Sequence, residues 1–383
     1  MDVLHLTHQY APETRGGVES YVTELVAEQR AAGLDAQVLT GTHQPRARVT
    51  LEALEVAGVP VHRLHRDDLF FDHHVKGWHP GVERVLDEFL ARTRPRLVHV
   101  HQWIRLTSNV VELVKRRGLP VVLTLHDYYS SCPRAFRMRP GASACLRQLS
   151  VESCLDCVPR YGHESEAELA EGIGLFRDQM AAELGQADVL LVAVSSTAEI
   201  VGASLGIARE RFHVLPLGHR ESFGAVRLAP PVAGAPFRFA YWGSVGRHKG
   251  ITVLIEAFRR LCAAAPAGAL ELHVLGGFER PEFEAELRAL AQGLPLHFHG
   301  PFRSGELPAL APHAGVFPST CLETCGLVLD ECFELGLPCI VSDHGALAAR
   351  AGPAALRARP GDAAHLAELM ARLVAEPATW HAL

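Results

Sequence analysis

Two carboxylates on one short stretch of the chain, Pro318–Val341, have the spacing best suited to chemistry. Glu323 lies in a polar segment, and Glu331 lies in a predicted short helix whose apolar residues recur at i, i+4 and i+7. Gly326, between them, allows the backbone to approach a ligand closely. A loop entering a helix offers N–H groups and a partial positive charge, which suit a phosphate. The pattern favours a phosphate site between two carboxylates, although an ordinary loop-helix-strand unit has the same pattern.

A glycine pair and a histidine follow two other predicted strands. Gly16 and Gly17 come directly after the first apolar strand and before a helix, and His126 ends a later strand. Open α/β sheets bind ligands at the carboxyl ends of their strands, so these residues are candidates to contact a phosphate or a sugar. Both features also have a purely structural explanation. The glycine pair could serve tight packing at the helix start, and the histidine could be hydrogen-bonded to a neighbouring carbonyl.

The segment Gly243–Gly250 is a glycine-flanked basic loop before a predicted helix. It carries Arg247 and Lys249, which could bind an anion at the helix start. The segment is not a Walker A motif, and the chain has no dinucleotide fingerprint after its first strand. The loop therefore indicates an anion site. The missing dinucleotide fingerprint argues against an NAD-dependent oxidoreductase.

Four cysteines interrupt the α/β pattern with the spacing C-x12-C-x8-C-x2-C. One Cys-x2-Cys knuckle with two further thiols could form a closed tetrahedral zinc site, which would be structural and not catalytic. Free thiols or a labile disulfide are the alternatives. The candidate ligands are Cys132, Cys145, Cys154 and Cys157. The same insertion carries arginines that could meet an anionic acceptor or a membrane surface, or simply solvate a loop: Arg134, Arg137, Arg139 and Arg147.

Composition limits the class of protein. The chain has 383 residues, which is long enough for two domains of ordinary size. Its residues are 48% hydrophobic and 21% charged, which is typical of a globular protein. Its formal net charge of −6 argues against a nucleic-acid binder. The sequence shows no secretory signal and no apolar run long enough to span a membrane. We therefore expect a cytoplasmic protein whose nine cysteines remain reduced.

Apolar strands alternate with amphipathic helices along both halves of the chain. The predicted organisation is an N-terminal Rossmann-like domain over residues 1–219, with the Cys-rich insertion at 132–157, and a C-terminal one over 237–383. Residues 220–236 are rich in proline and glycine without periodicity and are predicted to be the linker. Two such domains predict an α/β fold in which Rossmann-like domains face each other across a cleft.

Taken in order, these motifs resemble the family 4 glycosyltransferases of the GT-B fold over nearly the whole chain. The matching pieces are the early glycine pair, the later histidine, Lys249-Gly250 followed by TVLIEAF, and PSTCLETCGLVLDE with its E-x7-E element. The HDYYSSCPR segment and its cysteines resemble one branch of this family. The nucleotide-sugar-binding domain would be the C-terminal one and the acceptor side the N-terminal one.

The resemblance implies a hexosyltransferase that needs no metal or other cofactor for catalysis and retains the anomeric configuration. Its co-substrate would be a nucleotide-diphosphate sugar, and its acceptor a small molecule, a glycan or a lipid-linked compound. Glu323 would bond sugar hydroxyls, Glu331 the ribose, and Lys249 the departing diphosphate. The implied catalytic residues are His126, Lys249 and Glu323. The implied donor-binding residues are Gly16, Gly17, Ser244, Arg247, Lys249, Glu323, Thr324, Cys325, Gly326, Leu327 and Glu331.

The sequence departs from the family pattern in three places. Ser244 stands where the family has arginine, and Arg247 is expected to substitute for it. Thr324 and Cys325 replace the common proline and phenylalanine. The chain ends at Leu383, so a C-terminal helix crossing back to the first domain is expected to be short or missing. These departures leave open another GT-B enzyme, such as a sugar epimerase or phosphorylase, and an inactive sugar-nucleotide binder.

Overall fold

The computed structural model describes residues 1–14, 16–68, 77–141, 143–218, 223–224, 226–232 and 234–383. The chain divides into two compact units. Unit 1 comprises Met1–Phe136 and Leu146–Gly218, and unit 2 comprises Arg137–Cys145 and His219–Leu383. Several positions of the expected linker, 220–222, 225 and 233, lie outside the described residues.

Unit 1 is built on a sheet that is parallel except at one edge. Its strands are β1 (Val3–Thr7), β2 (Ala36–Gly41), β3 (Thr50–Val56), β4 (Val59–His65), β5 (Leu97–Val100), β6 (Val121–Leu125), β7 (Val189–Val192) and β8 (Phe212–Val214). Their spatial order is β3-β4-β2-β1-β5-β6-β7-β8. All five residues of β1 are buried, as expected of a central parallel strand with both faces covered. This order places the carboxyl ends of β1, β5 and β6 side by side.

The antiparallel edge is a hairpin that no pattern in the sequence indicates. Strands β3 and β4 pair from Thr50 with His65 to Val56 with Val59. The two residues between them, Ala57 and Gly58, have φ of 50° and 80°. Positive φ at both positions is the requirement of the tight turns that match strand twist. Because alanine seldom adopts a positive φ, Ala57 gives no signal of a turn in the sequence.

Helices connect the strands of unit 1. They are α1 (Gly17–Ala31), α2 (Pro80–Thr93), α3 (Val110–Arg116), α4 (Val151–Cys154), α5 (Glu166–Gln186) and α6 (Ser195–Leu205). Helix α1 follows β1 directly, as the sequence predicts, and Gly16 is its N-cap residue. Glycine pair and helix start are thus at the carboxyl end of the central strand.

Unit 2 repeats the alternation with a six-stranded parallel sheet. Its strands are β9 (Phe237–Trp242), β10 (Leu270–Leu275), β11 (Leu296–Gly300), β12 (Ala314–Phe317), β13 (Cys339–Ser342) and β14 (Ala355–Ala358). Their order is β11-β10-β9-β12-β13-β14. Its helices are α7 (Ile251–Ala264), α8 (Pro281–Leu290), α9 (Val328–Leu335), α10 (Gly345–Ala351), α11 (Ala363–Ala375) and α12 (Pro377–Ala382). Because β9 and β12 are neighbours, the loops that follow them meet.

The predicted class, α/β with two parallel-sheet units, is confirmed. Gly336, with φ of 67°, ends α9 in the left-handed conformation, as its position after the apolar helix face predicts. Among the described residues, no helix combines the length and apolar character that crossing a bilayer requires.

Candidate active site

The loops that follow β9 and β12 are held together by their backbones. The His248 carbonyl accepts N–H bonds from Thr320 at 2.9 Å and Cys321 at 3.1 Å. The Thr320 hydroxyl donates to the same oxygen at 3.2 Å. His248 lies in a 3-10 turn, Arg247–Lys249, and both loops come from the carboxyl ends of adjacent strands. The basic loop, Gly243–Gly250, and the loop of residues 318–327, which we call the carboxylate loop, therefore form one structure.

Gly250 permits this close approach. Its φ is 72°, and a Cβ built there would lie 2.0 Å from the carbonyl oxygen of Pro318. Any other residue would be strained by the left-handed backbone and would also displace the neighbouring loop. The glycine that ends the KG pair is thus required by packing within unit 2.

Lys249 and Glu323 form the central ion pair of this structure. Lys249 Nζ lies 2.7 Å from Glu323 Oε1, and the Ser319 hydroxyl donates to that oxygen at 2.7 Å. The lysine side chain is 23% exposed and the glutamate side chain 16%. Both side chains are therefore held in place and mostly buried, with a small part of each exposed.

The pair keeps both groups charged. Burial alone would raise the pKa of Glu323, but the Lys249 ammonium and the hydrogen bonds from Lys249 and Ser319 lower it below its usual value. Burial likewise opposes the charge on Lys249, but Glu323 raises the pKa of that amine. An ammonium and a carboxylate in a partly desolvated site interact more strongly than in water.

The start of α10 packs against the backbone of Glu323 and holds it in place. The Ala346 N–H donates to the Glu323 carbonyl at 2.9 Å. Gly345, with φ of 58°, packs so closely that a Cβ there would lie 3.0 Å from the Glu323 backbone. His344 Nε2 lies 2.9 Å from the carbonyl oxygen of Ser319. These contacts hold the carboxylate loop in one conformation.

Glu331 lies in the first turn of α9 and is held by an indole. Trp242 Nε1 donates to Glu331 Oε2 at 2.6 Å. Trp242 ends β9, is 1% exposed and packs edge-on against Phe317 at the end of β12, with 4.7 Å between ring centroids. The core of unit 2 thus positions the second carboxylate.

An arginine braces the loop between the two carboxylates. Arg350 Nη1 donates to the carbonyls of Cys325 and Gly326 at 2.9 and 3.2 Å. Its Nη2 donates to Asp330 Oδ1 at 2.7 Å. Gly326 has φ of 73°, and a Cβ there would lie 2.5 Å from Leu347 Cδ2. The loop at Thr324–Leu327 is therefore fixed at the entrance to α9.

Two predicted donor-binding residues of the basic loop are not brought to the Lys249–Glu323 pair. Arg247 pairs with Glu286 of α8, and its guanidinium lies 4.6 Å from the centroid of the Phe283 ring. Ser244 is exposed, and its carbonyl accepts a bond from the Tyr241 hydroxyl at 2.6 Å. The expected substitution of Arg247 for an arginine at 244 stays a prediction, and it requires the Glu286 pair to open.

In unit 1, His126 directly follows β6. Its Nε2 lies 2.9 Å from His101 Nδ1, and its ring centroid lies 5.1 Å from that of Tyr21 in α1. Burial lowers the pKa of His126 to about 3, so its imidazole is neutral near pH 7. Gly16 lies over Glu19, since a Cβ at Gly16 would come within 2.6 Å of Glu19 Oε2.

The four cysteines proposed as zinc ligands carry thiols and are half-buried. Within the part of the chain that the structure describes, no three of them have their sulfur atoms within 4.8 Å of one another. Arg134 donates to the Cys157 carbonyl at 2.8 Å and approaches its sulfur at 3.8 Å. The zinc site stays a prediction.

The suggestion that Arg137 meets a membrane surface is wrong. Its side chain is 2% exposed, and its Nε donates to the Cys145 carbonyl at 3.0 Å. A guanidinium held inside the protein is not available to a bilayer. Arg147 also donates within the segment, to Ser153 O at 2.8 Å and to Asp156.

Several contributing residues are missed by sequence reasoning. Ser319 could have been suggested by its place next to a predicted strand end, since polar residues there contact ligands. The partners of Trp242, His344 and Arg350 depend on which strands are neighbours, and no local pattern carries that information.

Family models match both units. The model described as "Glycosyl transferase 4-like domain" matches residues 16–218, and that described as "Glycosyl transferases group 1" matches residues 236–376. No curated protein sequence matches the chain. The first model alone spans more than half of the chain.

Solved structures share the fold of the chain. A sucrose-phosphate synthase from Thermosynechococcus elongatus has a TM-score of 0.68 at 20% identity, over 100% of this chain and 92% of that one. The trehalose-6-phosphate protein of E. coli, bound to UDP-2-fluoro glucose, gives 0.69 at 13%, over 99% and 92%. A UDP-forming trehalose-phosphate synthase from Burkholderia xenovorans, in complex with glucose-6-phosphate, gives 0.68 at 13%, over 100% and 95%. At these identities the likeness establishes the fold.

Proposed function

The chain belongs to the family 4 glycosyltransferases of the GT-B fold. We propose that it transfers a sugar from a nucleoside-diphosphate donor to an acceptor hydroxyl. The transfer retains the anomeric configuration and uses no catalytic metal. The observation that carries this proposal is the Lys249–Glu323 pair, held at 2.7 Å and partly exposed.

Breaking the bond between sugar and diphosphate develops negative charge on the leaving oxygen and positive charge on the sugar. Lys249 is charged and already in place, so it stabilises the leaving diphosphate without reorganising during the reaction. The first-turn N–H groups of Leu329, Asp330 and Glu331 already donate to the carbonyls of Gly326 and Leu327, so α9 contributes through the partial positive charge of its N-terminus. No metal is required for this neutralisation.

The two carboxylates have different roles in the proposal. Glu323 Oε1 accepts from Lys249 and Ser319, and we assign Oε2 to the hydroxyls of the donor sugar. Glu331, held by Trp242, is assigned to the ribose. His126 is assigned to the sugar near its anomeric carbon, and Gly16 and Gly17 to a phosphate. These last assignments follow from the family resemblance.

The first experiment identifies the donor by thermal shift with UDP, GDP, TDP and ADP and their common sugars. A ligand at about 100 times its Kd stabilises the native state by about 2.7 kcal/mol, so the right nucleotide should stand out. UDP-glucose is the first donor to test and glucose-6-phosphate one acceptor, because structures of the same fold contain UDP-2-fluoro glucose and glucose-6-phosphate. Glu323→Gln is the site variant, and Glu256→Gln, an exposed change in α7, is its control.

The second experiment follows the products of the best donor with and without acceptor, in the presence and absence of EDTA. Transfer to an acceptor, unchanged by EDTA, with the donor's anomeric configuration in the product, supports the proposal. Conversion of the donor alone to an epimer, or transfer only to inorganic phosphate, would assign the chain to another GT-B activity. Saturable binding without turnover over the acceptor panel would make it a sugar-nucleotide binder.

A further inference from the structure

Three contacts, one buried and two partly buried, join Gln29 to His126 in unit 1. His5 Nε2 lies 2.7 Å from Gln29 Oε1, and His5 Nδ1 lies 3.0 Å from His101 Nε2. His101 Nδ1 then lies 2.9 Å from His126 Nε2. The ring centroids of His5 and His101 lie 5.3 Å apart, and those of His101 and His126 lie 5.2 Å apart. These separations are almost the longest that N···N distances of 3.0 and 2.9 Å allow, so the nitrogens meet nearly in the ring planes. We call this series of contacts the histidine chain.

Each histidine of the histidine chain is a neutral imidazole. His5 is 0% exposed and His101 2%. Burial lowers the pKa of His5 to about 4 and holds that of His101 far below its usual value. A neutral imidazole has one N–H donor and one lone-pair acceptor. Every bond between two imidazoles in the chain therefore uses one donor and one acceptor.

The Gln29 oxygen sets the direction of all these bonds. An amide oxygen only accepts, so His5 carries its proton on Nε2 and accepts at Nδ1. His101 must then donate from Nε2 to His5 and accept at Nδ1. His126 in turn donates from Nε2 to His101, which leaves the lone pair of His126 on Nδ1. The tautomer of an imidazole is set by the bond that its other nitrogen makes.

We propose that the chain Gln29–His5–His101 holds His126 in the single tautomer protonated at Nε2, and that this orients the His126 imidazole toward the donor sugar assigned to it above. Gln29, His5 and His101 are thus positioning residues, which act through His126. This inference rests on the proposed function for the identity of the ligand, but the tautomer itself does not depend on it.

A metal ion is the competing occupant of this cluster. His5, His99 and His101 are all buried, and one nitrogen from each lies within 4.8 Å of the others. His5 Nδ1 and His101 Nε2 are bonded to each other, and His99 Nε2 lies 2.7 Å from the Thr124 hydroxyl. Binding a metal would break the histidine chain, so the two alternatives exclude each other.

The test is long-range 1H–15N NMR of the full chain with 15N-labelled histidine, with the His126 signals assigned by a His126→Asn variant. The expected spectrum shows a protonated Nε2 and a lone pair on Nδ1 for His126. Gln29→Glu offers only acceptor oxygens and should leave this pattern unchanged. Gln29→Met keeps the helix but removes the acceptor, and His126 should then populate both tautomers.

Activity supplies a second readout with the same variants. Gln29→Met should lower kcat about tenfold with a smaller change in KM, whereas Gln29→Glu should stay within about twofold of wild type. A wild-type His126 protonated at Nδ1, a mixture of tautomers, or a tautomer unaffected by Gln29→Met would overturn the inference. So would a stoichiometric metal that the purified protein retains after Cys154 and Cys157 are changed to Ser, since that metal would have to lie outside the cysteine site. If no donor is turned over at all, the proposed function fails while the NMR result still decides the tautomer.

Discussion

The ammonium of Lys249 and the carboxylate of Glu323 share a partly exposed position, 2.7 Å apart, with Ser319 donating to the same carboxylate oxygen. The pair lies where two loops from neighbouring strands are joined through one backbone carbonyl. This arrangement places one charge of each sign at a fixed separation before any ligand binds. Electrostatic preorganisation of this kind is the main way in which enzymes stabilise developing charge.

Glu323→Gln and Lys249→Met should each lower kcat by about a hundredfold or more, the scale of one lost preorganised group. Because each residue holds the other, the double variant should lose less than the product of the two single losses. Initial rates with the donor identified by thermal shift give both quantities. Glu256→Gln, whose carboxylate pairs with Arg260 on the surface, should remain near wild type. Near-normal transfer by either site variant contradicts the assigned roles.

Trp242→Phe should raise KM for the donor by about tenfold while changing kcat little. Phenylalanine keeps a ring against Phe317 but removes the N–H bond to Glu331, and a bond to a charged group is worth about 1.5–3 kcal/mol. The matched control is Trp380→Phe, since Trp380 Nε1 donates to the His313 carbonyl at 2.6 Å within the same unit. Steady-state kinetics compare the two variants. An equal rise in KM for both would mean that the effect comes from stability and not from the ribose site.

Gly250→Ala should destabilise unit 2 more than Gly268→Ala does. Both glycines have left-handed backbones, with φ of 72° and 76°, and share a strain cost of about 1–2 kcal/mol for any other residue. A Cβ at 268 meets nothing within 4 Å, whereas one at 250 meets the Pro318 carbonyl at 2.0 Å. We expect an additional loss of about 1–3 kcal/mol at 250, typical of overpacking. Urea unfolding of both variants measures the difference, and equal midpoints would refute the close approach.

Stability of unit 1 should fall as the pH drops from about 6.5 to about 4. Above pH 6.5 the imidazoles are neutral in both states and no stability is lost. Below it the unfolded chain binds protons that folded His5, with a pKa of about 4, does not bind. For His5 alone the loss at pH 5 is about 2 kcal/mol. Melting temperatures at pH 7.5 and 5.0 measure the fall, which should be smaller in His5→Asn than in His213→Asn, a change of an exposed histidine on β8. Identical falls in the two variants would contradict the prediction.

Metal analysis decides the zinc hypothesis. Purified protein should contain about one zinc per chain, and the Cys154→Ser and Cys157→Ser changes should remove it. Cys262→Ser, on α7 in unit 2, is the control and should leave the metal content unchanged. A folded protein without zinc would leave the four residues as thiols and discard the site.

The sequence predicts those parts of the fold that depend on local pattern. Strand β12 is an apolar run, and α9 is specified by an apolar face that Gly336 ends. The E-x7-E element likewise requires only spacing. The β3–β4 hairpin escapes prediction because Ala57 takes a positive φ that alanine seldom adopts.

The side-chain partners of the site are a different matter. Arg247 pairs with Glu286 of α8 and not with a residue of the Lys249–Glu323 site, because α8 packs beside the basic loop. No spacing in the sequence indicates this contact. The histidine chain forms because β1 and β5 are neighbours in the sheet and β6 lies next to β5. Such contacts depend on strand order, which tertiary packing decides.

The His248 carbonyl accepts hydrogen bonds from the backbone N–H groups of both Thr320 and Cys321, and so joins the basic loop to the carboxylate loop. The two loops can therefore be exchanged for those of a relative only together. A graft of residues 243–250 alone from a relative would have to reproduce this acceptor, or leave buried N–H groups unpaired at a cost of about 1–3 kcal/mol each. Attempts to alter donor preference by loop exchange should therefore carry residues 243–250 and 318–327 together. Variation among relatives in one loop should be matched by variation in the other.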